Sequence, residues 1–418
     1  MQNLKIKGGN KISGTVKISG SKNATLPILA STILANKKIV ITNVPIVKDV
    51  ETMVNLLKTI GSNVIFKKKE KKIEILNKKN LKTCAPYHLL KTMRAGVLVL
   101  GSLLAKYNVA KVSLPGGCAI GSRPVDIHLK ALKQMGANIK IKDGYILASA
   151  RNGLKGCLIK FPKISVGATE NILIASCFAK GKTRLRNCAS EPEVKDLVIF
   201  LKKMGFKIKW VGQRSLNIDG FKKLKPVKHK VIFDRIEAGT YIIASAITNG
   251  SLKITNVNAN IISNEINLLK RMGVIIINKN KYLIVKSPKK LKNVNVVTKP
   301  YPGFPTDLQA QIMVLMTRAN GISTIKENIF ENRFMHVSEL RRMGAHIEIR
   351  GNKAKIYGEI KLNGAELMAT DLRASVSLVL AGLVAKNETI INRVYHLDRG
   401  YEEIEKKLSN CGAQIKRL

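Results

Sequence analysis

The sequence predicts a mixed α/β protein made of six repeats of about seventy residues, arranged as two domains of three repeats each. Two observations support this prediction. The pattern L-[KR]-x-x-G-x-x-[IV], or a close variant of it, recurs along the whole chain, and a second pattern recurs six times in the same frame. A single helix and sheet of this size cannot cover both faces of their elements, so the repeats must pack on one another.

The first pattern is a helix that carries basic residues in its last turn, ends at a glycine and is followed by an alternating strand. Its copies are 68 to 75 residues apart and fill the chain of 418 residues. They read LLKTIGSNV, LKQMGANI, LKKMGFKI, LKRMGVII, LRRMGAHI and LSNCGAQI, with glycines at Gly61, Gly136, Gly205, Gly273, Gly344 and Gly412.

The second pattern is a helix of small residues, a Gly or Asn turn and a strand. Its copies are STILANKKIVITNV, GSLLAKYNVAKVSL, ASCFAKGKTRLRN, ASAITNGSLKITNV, MTRANGISTIKE and LAGLVAKNETIINRV. Each repeat should therefore contain two helices and three or four strands.

The domain boundary is predicted near FKKLKPVKHK, residues 221–230, which is basic and contains proline. Three repeats make about 210 residues, an ordinary domain size. Residues 1–20 contain the strand-like segments LKIKG and KISGTVKISG, and by repeat arithmetic they complete a repeat of the later domain. We expect a first domain of residues 21–229 and a second domain of residues 1–20 and 230–418.

The chain carries 73 Lys and Arg against 27 Asp and Glu, a net charge of +46. The basic residues are spread over the whole chain and aromatic residues make up 5%, which favours a compositional bias at surface positions over an anion-steering field or nucleic-acid binding. We expect no nucleic-acid partner. The oligomeric state is left open, with a monomer favoured.

Apolar runs such as residues 95–105 are about ten residues long, well below the roughly 20 that a bilayer requires, so no membrane insertion is expected. The start MQNLKIKGGNKISG lacks the apolar segment of a secretory signal, which predicts a cytoplasmic protein. Six cysteines form no C-x-x-C pair and are interpreted as reduced thiols. Neither a metal nor a cofactor is predicted.

Six equivalent positions before the small-residue helices carry unlike side chains. They are 66 to 73 residues apart: Lys22, Arg94, Gly167, Arg235, Asp307 and Arg373. Packing positions should look alike across repeats, whereas binding positions diverge, and helix N-termini present free N–H groups to anions. These positions predict a cleft between two pseudo-symmetric domains that binds a phosphorylated or carboxylated compound.

The segment LPGGCAIGSRPVDIH, residues 114–128, is predicted to be a mobile surface loop because of its glycines and Pro115. A thiol at Cys118 near Arg123 can be acidic enough to transfer a proton or attack carbon, although an incidental free cysteine is the alternative. The Gly116-x4-Gly121 spacing continues with Ser122 and Arg123, so a P-loop is excluded.

Six segments in order resemble the enolpyruvyl transferases: ISGSKNATLPIL, LPGGCAIGSRPVDIH, PTDLQAQ, FENRFMHV, ATDLRAS and DRGYE. The resemblance extends from about Leu4 to Gly412. It implies an inside-out α/β barrel of two three-repeat domains with the active site in the cleft between them. It also implies transfer of the enolpyruvyl group from phosphoenolpyruvate to the 3-hydroxyl of UDP-N-acetylglucosamine, with release of phosphate, in peptidoglycan synthesis.

The resemblance assigns catalytic roles to Cys118, Asp307, Lys22 and Arg399. Cys118 matches the general acid and adduct-forming thiol of a lid, and Asp307 matches the carboxylate that takes the hydroxyl proton, unless it is only a helix cap. The cations that match phosphoenolpyruvate-binding positions are Lys22, Arg123 and Arg399, with Arg333 and Arg373 close to them in role.

The same resemblance places the nucleotide sugar against Asn23, Arg94, Arg123, Pro124, Val125, Asp126, Ile127, Lys163, Ile164, Ser165, Val166 and Ile329. Ile329 is equally well explained by core packing. Glu191 and His128 also match family positions, although a buried structural carboxylate and a loop-anchoring histidine explain them as well. At Leu98, where many relatives have an aromatic residue, this chain departs from the family.

Two rival functions are considered. Transfer of the same group to shikimate 3-phosphate uses the same fold but lacks the cysteine-bearing lid, so residues 114–123 argue against it. A basic repeat protein that binds nucleic acid would show steeply salt-dependent binding. That second reading gives no reason for Cys118, Asp307 and Arg399 to occur together.

Overall fold

The computed structural model describes residues 2–114, 116, 125–220 and 223–418, and these form two compact units. The first unit contains the described residues between 20 and 232, and the second contains residues 2–19 and 233–418. Each unit has its own hydrophobic core.

Each unit contains three four-stranded sheets with one shared strand order. In every sheet the first two strands pair in parallel, and the remaining pairs are antiparallel. The sheets of the first unit, each in spatial order, are Val227–Lys230, Ile39–Thr42, Lys72–Asn77 and Ser62–Lys67; Cys84–Ala85, Val109–Ser113, Tyr145–Ser149 and Asn138–Lys142; and Leu158–Lys160, Lys182–Arg186, Ser215–Asp219 and Lys207–Trp210.

The sheets of the second unit follow the same plan. They are Ser13–Lys17, Ser251–Thr255, Tyr282–Lys286 and Ile275–Asn278; Asn295–Val297, Ile322–Lys326, Lys353–Tyr357 and Ile347–Arg350; and Glu366–Met368, Glu388–Asn392, Leu4–Lys7 and Gln414–Arg417. The α/β class and the six repeats predicted from the sequence are confirmed, with open four-stranded sheets as the repeated element.

Three of the described strands belong to sheets whose other strands lie far away in the sequence, and one of them, Ser13–Lys17, pairs in parallel with Ser251–Thr255. Leu4–Lys7 lies between Glu388–Asn392 and Gln414–Arg417, with Leu4 opposite Ile391 on one side and Arg417 on the other. Val227–Lys230 pairs in parallel with Ile39–Thr42. Each unit is thus completed by a strand from a remote part of the chain.

The small-residue helices form the centre of each unit. Those of the first unit are Lys22–Ser31, Val99–Tyr107 and Val166–Ser176, and those of the second are Arg235–Ile247, Gln309–Met316 and Leu372–Gly382. Every residue of the three helices of the second unit is buried, whereas the strands alternate between buried and exposed side chains. Helices that are buried on all sides lie inside a core, so within each unit the helices lie inside and the sheets outside.

The second helix of each repeat ends at the recurring glycine. These helices are Lys48–Thr59, Asp126–Gln134, Pro192–Met204, Ser263–Arg271, Val337–Arg342 and Ile404–Ser409. The six glycines have φ between 91° and 110°, a left-handed conformation that side chains with a Cβ rarely adopt. The predicted helix–glycine–strand motif is therefore confirmed in each repeat.

Short helical turns complete the structure. They are Thr32–Leu34, Lys68–Glu70, Tyr87–Leu90, Arg94–Leu98, Ala259–Ile262, Thr306–Leu308 and Tyr395–Asp398. Within the described ranges, no helix combines the length and the apolar character needed to span a bilayer.

Candidate functional site

The six positions aligned by the repeats all lie at the start of the central helix of their repeat or in the short turn before it: Lys22, Arg94, Gly167, Arg235, Asp307 and Arg373. Arg94 and Asp307 lie in the short turns Arg94–Leu98 and Thr306–Leu308, which lead directly into their helices. Side chains cap four of these N-termini: Ser21, Ser165, Asp234 and Asp371. The fold thus presents unlike side chains from one recurring place in the repeat.

Lys22 is a buried cation of the first unit. Its Nζ lies 3.0 Å from Oδ2 of Asp49, and the two side chains are 11% and 7% exposed. Asp49 lies in the first turn of Lys48–Thr59, where the helix dipole favours a carboxylate. Asn23, the next residue after Lys22, is half-buried. Lys22 is therefore held by a carboxylate that the sequence analysis did not identify.

His128 is bound by the amide side chain of Asn171. The amide Nδ2 of Asn171 lies 3.0 Å from Nδ1 of His128 and 3.3 Å from the Val97 carbonyl oxygen, while the Gly101 N–H donates to its Oδ1 at 2.8 Å. Because an amide nitrogen can only donate, Nδ1 of His128 must accept and carries no proton.

Electrostatics agrees with that protonation state. Burial lowers the pKa of His128 to about 4, the charge of Arg94 lowers it further, and Asp126 acts in the opposite direction. His128 is thus a neutral histidine that anchors the helix Asp126–Gln134 to Val166–Ser176. This supports the anchoring explanation for its match to the family.

The residues predicted to contact the nucleotide sugar differ in exposure. Val125 and Ile127 are 8% and 6% exposed and pack in the core of the first unit, whereas Asp126 between them is exposed. In the segment 163–166, Lys163 and Val166 are exposed and Ile164 is half-buried, while Ser165 caps the following helix through the Ala168 N–H. Cys118, Arg123 and Pro124 lie outside the described residues.

Asp307 of the second unit is bound by two arginines. Its Oδ1 lies 2.7 Å from Nη2 of Arg333, and its Oδ2 lies 2.7 Å from Nη2 of Arg373. The side chains of Arg333 and Arg373 are 4% and 7% exposed, whereas that of Asp307 is 28% exposed. The structure therefore brings together three of the residues predicted from the sequence, and it gives Asp307 an ionic role besides that of a helix-start residue.

A buried polar network supports Arg373. Burial opposes the charge of Arg373, but Asp307, Tyr401 and Asp234 act in the opposite direction, and the pKa of the guanidinium is raised above its ordinary value. Nη1 of Arg373 lies 3.5 Å from the Tyr401 hydroxyl, which is 2.8 Å from the Thr240 hydroxyl. Nε2 of Gln311 donates to the Tyr401 hydroxyl at 3.3 Å and to the backbone carbonyl oxygen of Asp307 at 2.9 Å.

The residues of this network other than Asp307 and Arg373 carry no assigned role in the sequence motifs. Gln311 lies four residues after Asp307, one helical turn away, and this spacing was a usable signal. Tyr401 stands two residues after Arg399 in the DRGYE segment, but its contact with Thr240 spans 161 positions. No local pattern predicts such a pair.

Glu327 organises the loop that contains Ile329. Its Oε1 accepts from the Thr298 hydroxyl at 2.9 Å and from the Ile329 N–H at 2.8 Å, and its Oε2 accepts from the Thr306 hydroxyl at 2.9 Å. Glu327 is 2% exposed. The carboxylate therefore ties the backbone at half-buried Ile329 to the residue that precedes Asp307.

Arg399 is half-buried and follows the short helix Tyr395–Asp398. His396 lies one turn earlier; burial lowers the pKa of His396, and the charge of Arg399 lowers it further. The structure thus places a further cationic group of the second unit near His396, a histidine that no sequence motif singled out.

Glu191 belongs to a group of buried carboxyl groups in the first unit. Glu170, Glu191 and Glu193 are 4%, 7% and 4% exposed. Burial raises the pKa of Glu170 well above its usual value, and Glu193 and Glu191 raise it further. The buried structural carboxylate remains a good explanation for Glu191. Leu98, where an aromatic residue was expected, is 3% exposed and packs in the core.

Comparison with known proteins gives full-length matches. The family model described as EPSP synthase (3-phosphoshikimate 1-carboxyvinyltransferase) matches residues 6–408. The UDP-N-acetylglucosamine 1-carboxyvinyltransferase of Pelagibacter ubique (strain HTCC1062) is 61% identical over 418 residues, all of both chains. Proteins of the same name from Geotalea uraniireducens (strain Rf4) and Rickettsia prowazekii (strain Madrid E) are 52% and 53% identical, again over the whole of both chains.

Solved structures show the same fold at low identity. The enolpyruvyl transferase NikO from Streptomyces tendae superposes with a TM-score of 0.91 at 24% identity, covering 100% of this chain and 99% of that one. EPSP synthase from Acinetobacter baumannii has a TM-score of 0.79 at 19% identity, covering 100% of both chains.

Proposed function

We propose that this chain, which belongs to the EPSP synthase family of enolpyruvyl transferases, transfers the enolpyruvyl group of phosphoenolpyruvate to the 3-hydroxyl of UDP-N-acetylglucosamine and releases phosphate. The observation that supports this acceptor most strongly is the 61% identity, over the entire length, to a relative named for that reaction. The solved EPSP synthase is only 19% identical to this chain, so that match supports the fold and not the acceptor.

The reaction needs a proton donor, a base and cations. Protonation of the terminal enol carbon leaves a cation-like carbon next to oxygen, and the sugar hydroxyl adds to it as its own proton leaves. Loss of phosphate, together with a proton from the new methyl group, restores the double bond. We propose Cys118 as the acid and Asp307 as the base that takes the hydroxyl proton.

We propose that Lys22, Arg123 and Arg399 hold the phosphate and carboxylate of phosphoenolpyruvate, with Arg333 and Arg373 close to the reacting atoms. Guanidinium groups bind such oxyanions bidentately, and their fixed charge stabilises the charge that develops in the transition state. The buried Lys22–Asp49 and Arg373–Asp307 pairs support this assignment, because each cation is held in a fixed position by a carboxylate.

We assign the nucleotide sugar to residues at the helix starts of the first unit and to the loop at Ile329. The first-unit residues are Asn23, Arg94, Arg123, Pro124, Val125, Asp126, Ile127, Lys163, Ile164, Ser165 and Val166. Since the side chains of Val125 and Ile127 are buried, we expect these two residues to bind through their backbone groups. Ile329 is half-buried and available as an apolar contact.

The product of this transfer feeds peptidoglycan synthesis, so we place the chain at the first committed step of cell-wall formation and, through it, in cell shape and division. Both substrates are cytoplasmic metabolites, and we place the reaction in the cytoplasm. We expect the enzyme to act as a monomer.

The decisive experiment measures phosphate release from phosphoenolpyruvate with either UDP-N-acetylglucosamine or shikimate 3-phosphate as acceptor. We expect turnover with the nucleotide sugar only. Replacing Cys118 or Asp307 by Ala should lower kcat by about 100-fold or more. Turnover with shikimate 3-phosphate alone would refute the proposed acceptor, and rates equal to wild type in both variants would refute the assigned roles.

A further inference from the structure

The carboxylate proposed as the base is not ready to accept a proton in the structure. Each oxygen of Asp307 receives a hydrogen bond from a guanidinium group at 2.7 Å, one from Arg333 and one from Arg373. Charge-assisted hydrogen bonds of this length are the strong ones. A carboxylate engaged by two cations is a poor base, because both cations favour its ionised form.

The two arginines cannot leave Asp307 without another anion. Both are buried, with 5% and 6% of their surface exposed, and an unpaired buried charge is strongly unfavourable. Phosphoenolpyruvate carries a phosphate and a carboxylate, and either group can replace the Asp307 carboxylate as the partner of a guanidinium.

Both guanidinium groups have further contacts besides those with Asp307. Arg373 lies 5.8 Å from the ring centroid of Tyr401 and 3.5 Å from its hydroxyl. Arg333 lies 5.5 Å from the ring centroid of Phe330, and its Nη2 is 3.5 Å from the Thr306 carbonyl oxygen. Cation–π and carbonyl contacts of this kind hold a guanidinium in place without neutralising it.

The backbone of Asp307 is also held. Gln311 donates to its carbonyl oxygen at 2.9 Å, and the preceding Thr306 is bound to Glu327 at 2.9 Å. The Asp307 side chain is 28% exposed, more than either arginine side chain, so an incoming hydroxyl can reach it. The backbone at Asp307 is therefore fixed, and an exchange of its ionic partners requires rotation of the side chain.

We propose that Arg333 and Arg373 hold Asp307 inactive as a base until an oxyanion of phosphoenolpyruvate replaces it on at least one of the two guanidinium groups. The exchange frees a carboxylate oxygen for the acceptor hydroxyl, and the charge of the bound substrate strengthens the base. Base strength is thereby coupled to the presence of the second substrate. This inference rests on the proposed function, in which Asp307 is the base.

The test is a competition between Asp307 and a substrate analogue for the same arginines. The probe is 2-phospholactate, which carries the phosphate and carboxylate of phosphoenolpyruvate but no double bond and is not transferred. Its affinity is measured by calorimetry in the presence of saturating UDP-N-acetylglucosamine. Asp307→Asn removes the competing charge and should bind the probe about tenfold more tightly than wild type, as expected for a buried charge pair.

A matched control separates this exchange from a general change in charge. Asp371→Asn removes one negative charge from the N-cap of the helix that contains Arg373. Asparagine and aspartate stabilise a helix N-terminus about equally well, so the cap is preserved. This variant should bind the probe within about twofold of wild type, because it leaves the Asp307 pairs intact. Equal tightening in both variants would contradict the proposal, as would unchanged or weaker binding by Asp307→Asn.

Two further measurements complete the test. Should Asp307→Asn not fold, as judged by thermal unfolding, Asp307→Ser removes the same charge with a smaller side chain and carries the same expectation. The wild-type turnover assay separates the two hypotheses. If the wild type releases no phosphate, the proposed function fails; if it turns over and neither Asp307 variant binds more tightly, only the exchange fails.

Discussion

Nζ of Lys407 lies 2.6 Å from Oε1 of Glu237, although the two residues are 170 positions apart. Glu237 is 3% exposed, and its Oε2 accepts from the Ser19 N–H at 2.7 Å. Burial raises the pKa of Glu237, while Lys407 acts in the opposite direction. The pair joins the N-terminal segment, the helix Arg235–Ile247 and the last helix of the second unit.

Replacing Lys407 by Met should destabilise the protein, because it leaves the Glu237 carboxylate buried without its cation. We expect the free energy of unfolding, measured by urea denaturation, to fall by about 3 kcal/mol. Lys406→Met is the matched control, since the adjacent Lys406 is 67% exposed and pairs with Glu403 at the surface. Equal unfolding midpoints for the two variants would contradict this interpretation.

Replacing Asp49 by Asn should leave the ammonium of Lys22 buried beside a neutral amide. We expect a loss of about 3 kcal/mol in the free energy of unfolding. Glu51→Gln provides the comparison, because Glu51 lies in the same helical turn but pairs with the exposed lysines Lys48 and Lys68. It should have little effect in the same urea titration, and a larger loss in Glu51→Gln than in Asp49→Asn would count against a buried pair.

Stability should decrease on acidification because of buried neutral histidines. Burial lowers the pKa values of His128 and His336 to about 4, against 6.5 for the free side chain. A histidine with a depressed pKa stabilises the fold fully above pH 6.5, and this contribution is lost as the pH falls towards 4. Between pH 7 and pH 5 each should account for a loss of about 2 kcal/mol in unfolding free energy.

The variant His128→Gln tests this attribution. Glutamine can accept the hydrogen bond from Asn171 but does not titrate. The difference in unfolding free energy between pH 7 and pH 5 should therefore be about 2 kcal/mol smaller than in wild type. His88→Gln, at an exposed position of the short helix Tyr87–Leu90, should leave the difference unchanged. If His128→Gln lost as much unfolding free energy between pH 7 and pH 5 as wild type, His128 would not contribute to the pH dependence of stability.

Replacing Thr306 by Val should lower activity more than stability. The change removes the hydrogen bond from Thr306 to Glu327, which fixes the residue next to the proposed base. Loss of positioning should lower kcat about tenfold and leave the KM for UDP-N-acetylglucosamine nearly unchanged. Thr324→Val removes an exposed hydroxyl bond to Asn295 in the same repeat and should retain wild-type kcat. Similar kcat values in the two variants would contradict the proposed role of Thr306 in positioning Asp307.

The repeats were predictable because their signals are local. A glycine with positive φ, a basic last turn and an alternating strand lie within ten residues of one another, and each has a direct physical cause. The alignment of Lys22, Asp307 and Arg373 followed from the repeat length alone, and the structure places all three at the start of a central helix or in the turn that leads into it. The assignment of these residues to a reaction came from the resemblance to a family and stays a prediction.

The partners of those residues were not predictable. Asp49, which binds Lys22, and Glu327, which binds the Ile329 N–H, appear in no motif. Tyr401 lies in the DRGYE segment, but nothing in that segment predicts its contact with Arg373. The pairs of Asp307 with Arg333 and Arg373 join three separate segments.

The chain sequence thus specifies a sixfold α/β architecture and the one place in each repeat where side chains diverge, since helix ends and strand alternation depend on neighbouring residues. The tertiary packing determines which charged side chains form ion pairs. Two side chains separated by 66 or 170 positions come within 3 Å only if the central helices pack in a particular way and leave space between them. Neither the packing nor this space can be predicted from a short segment of sequence.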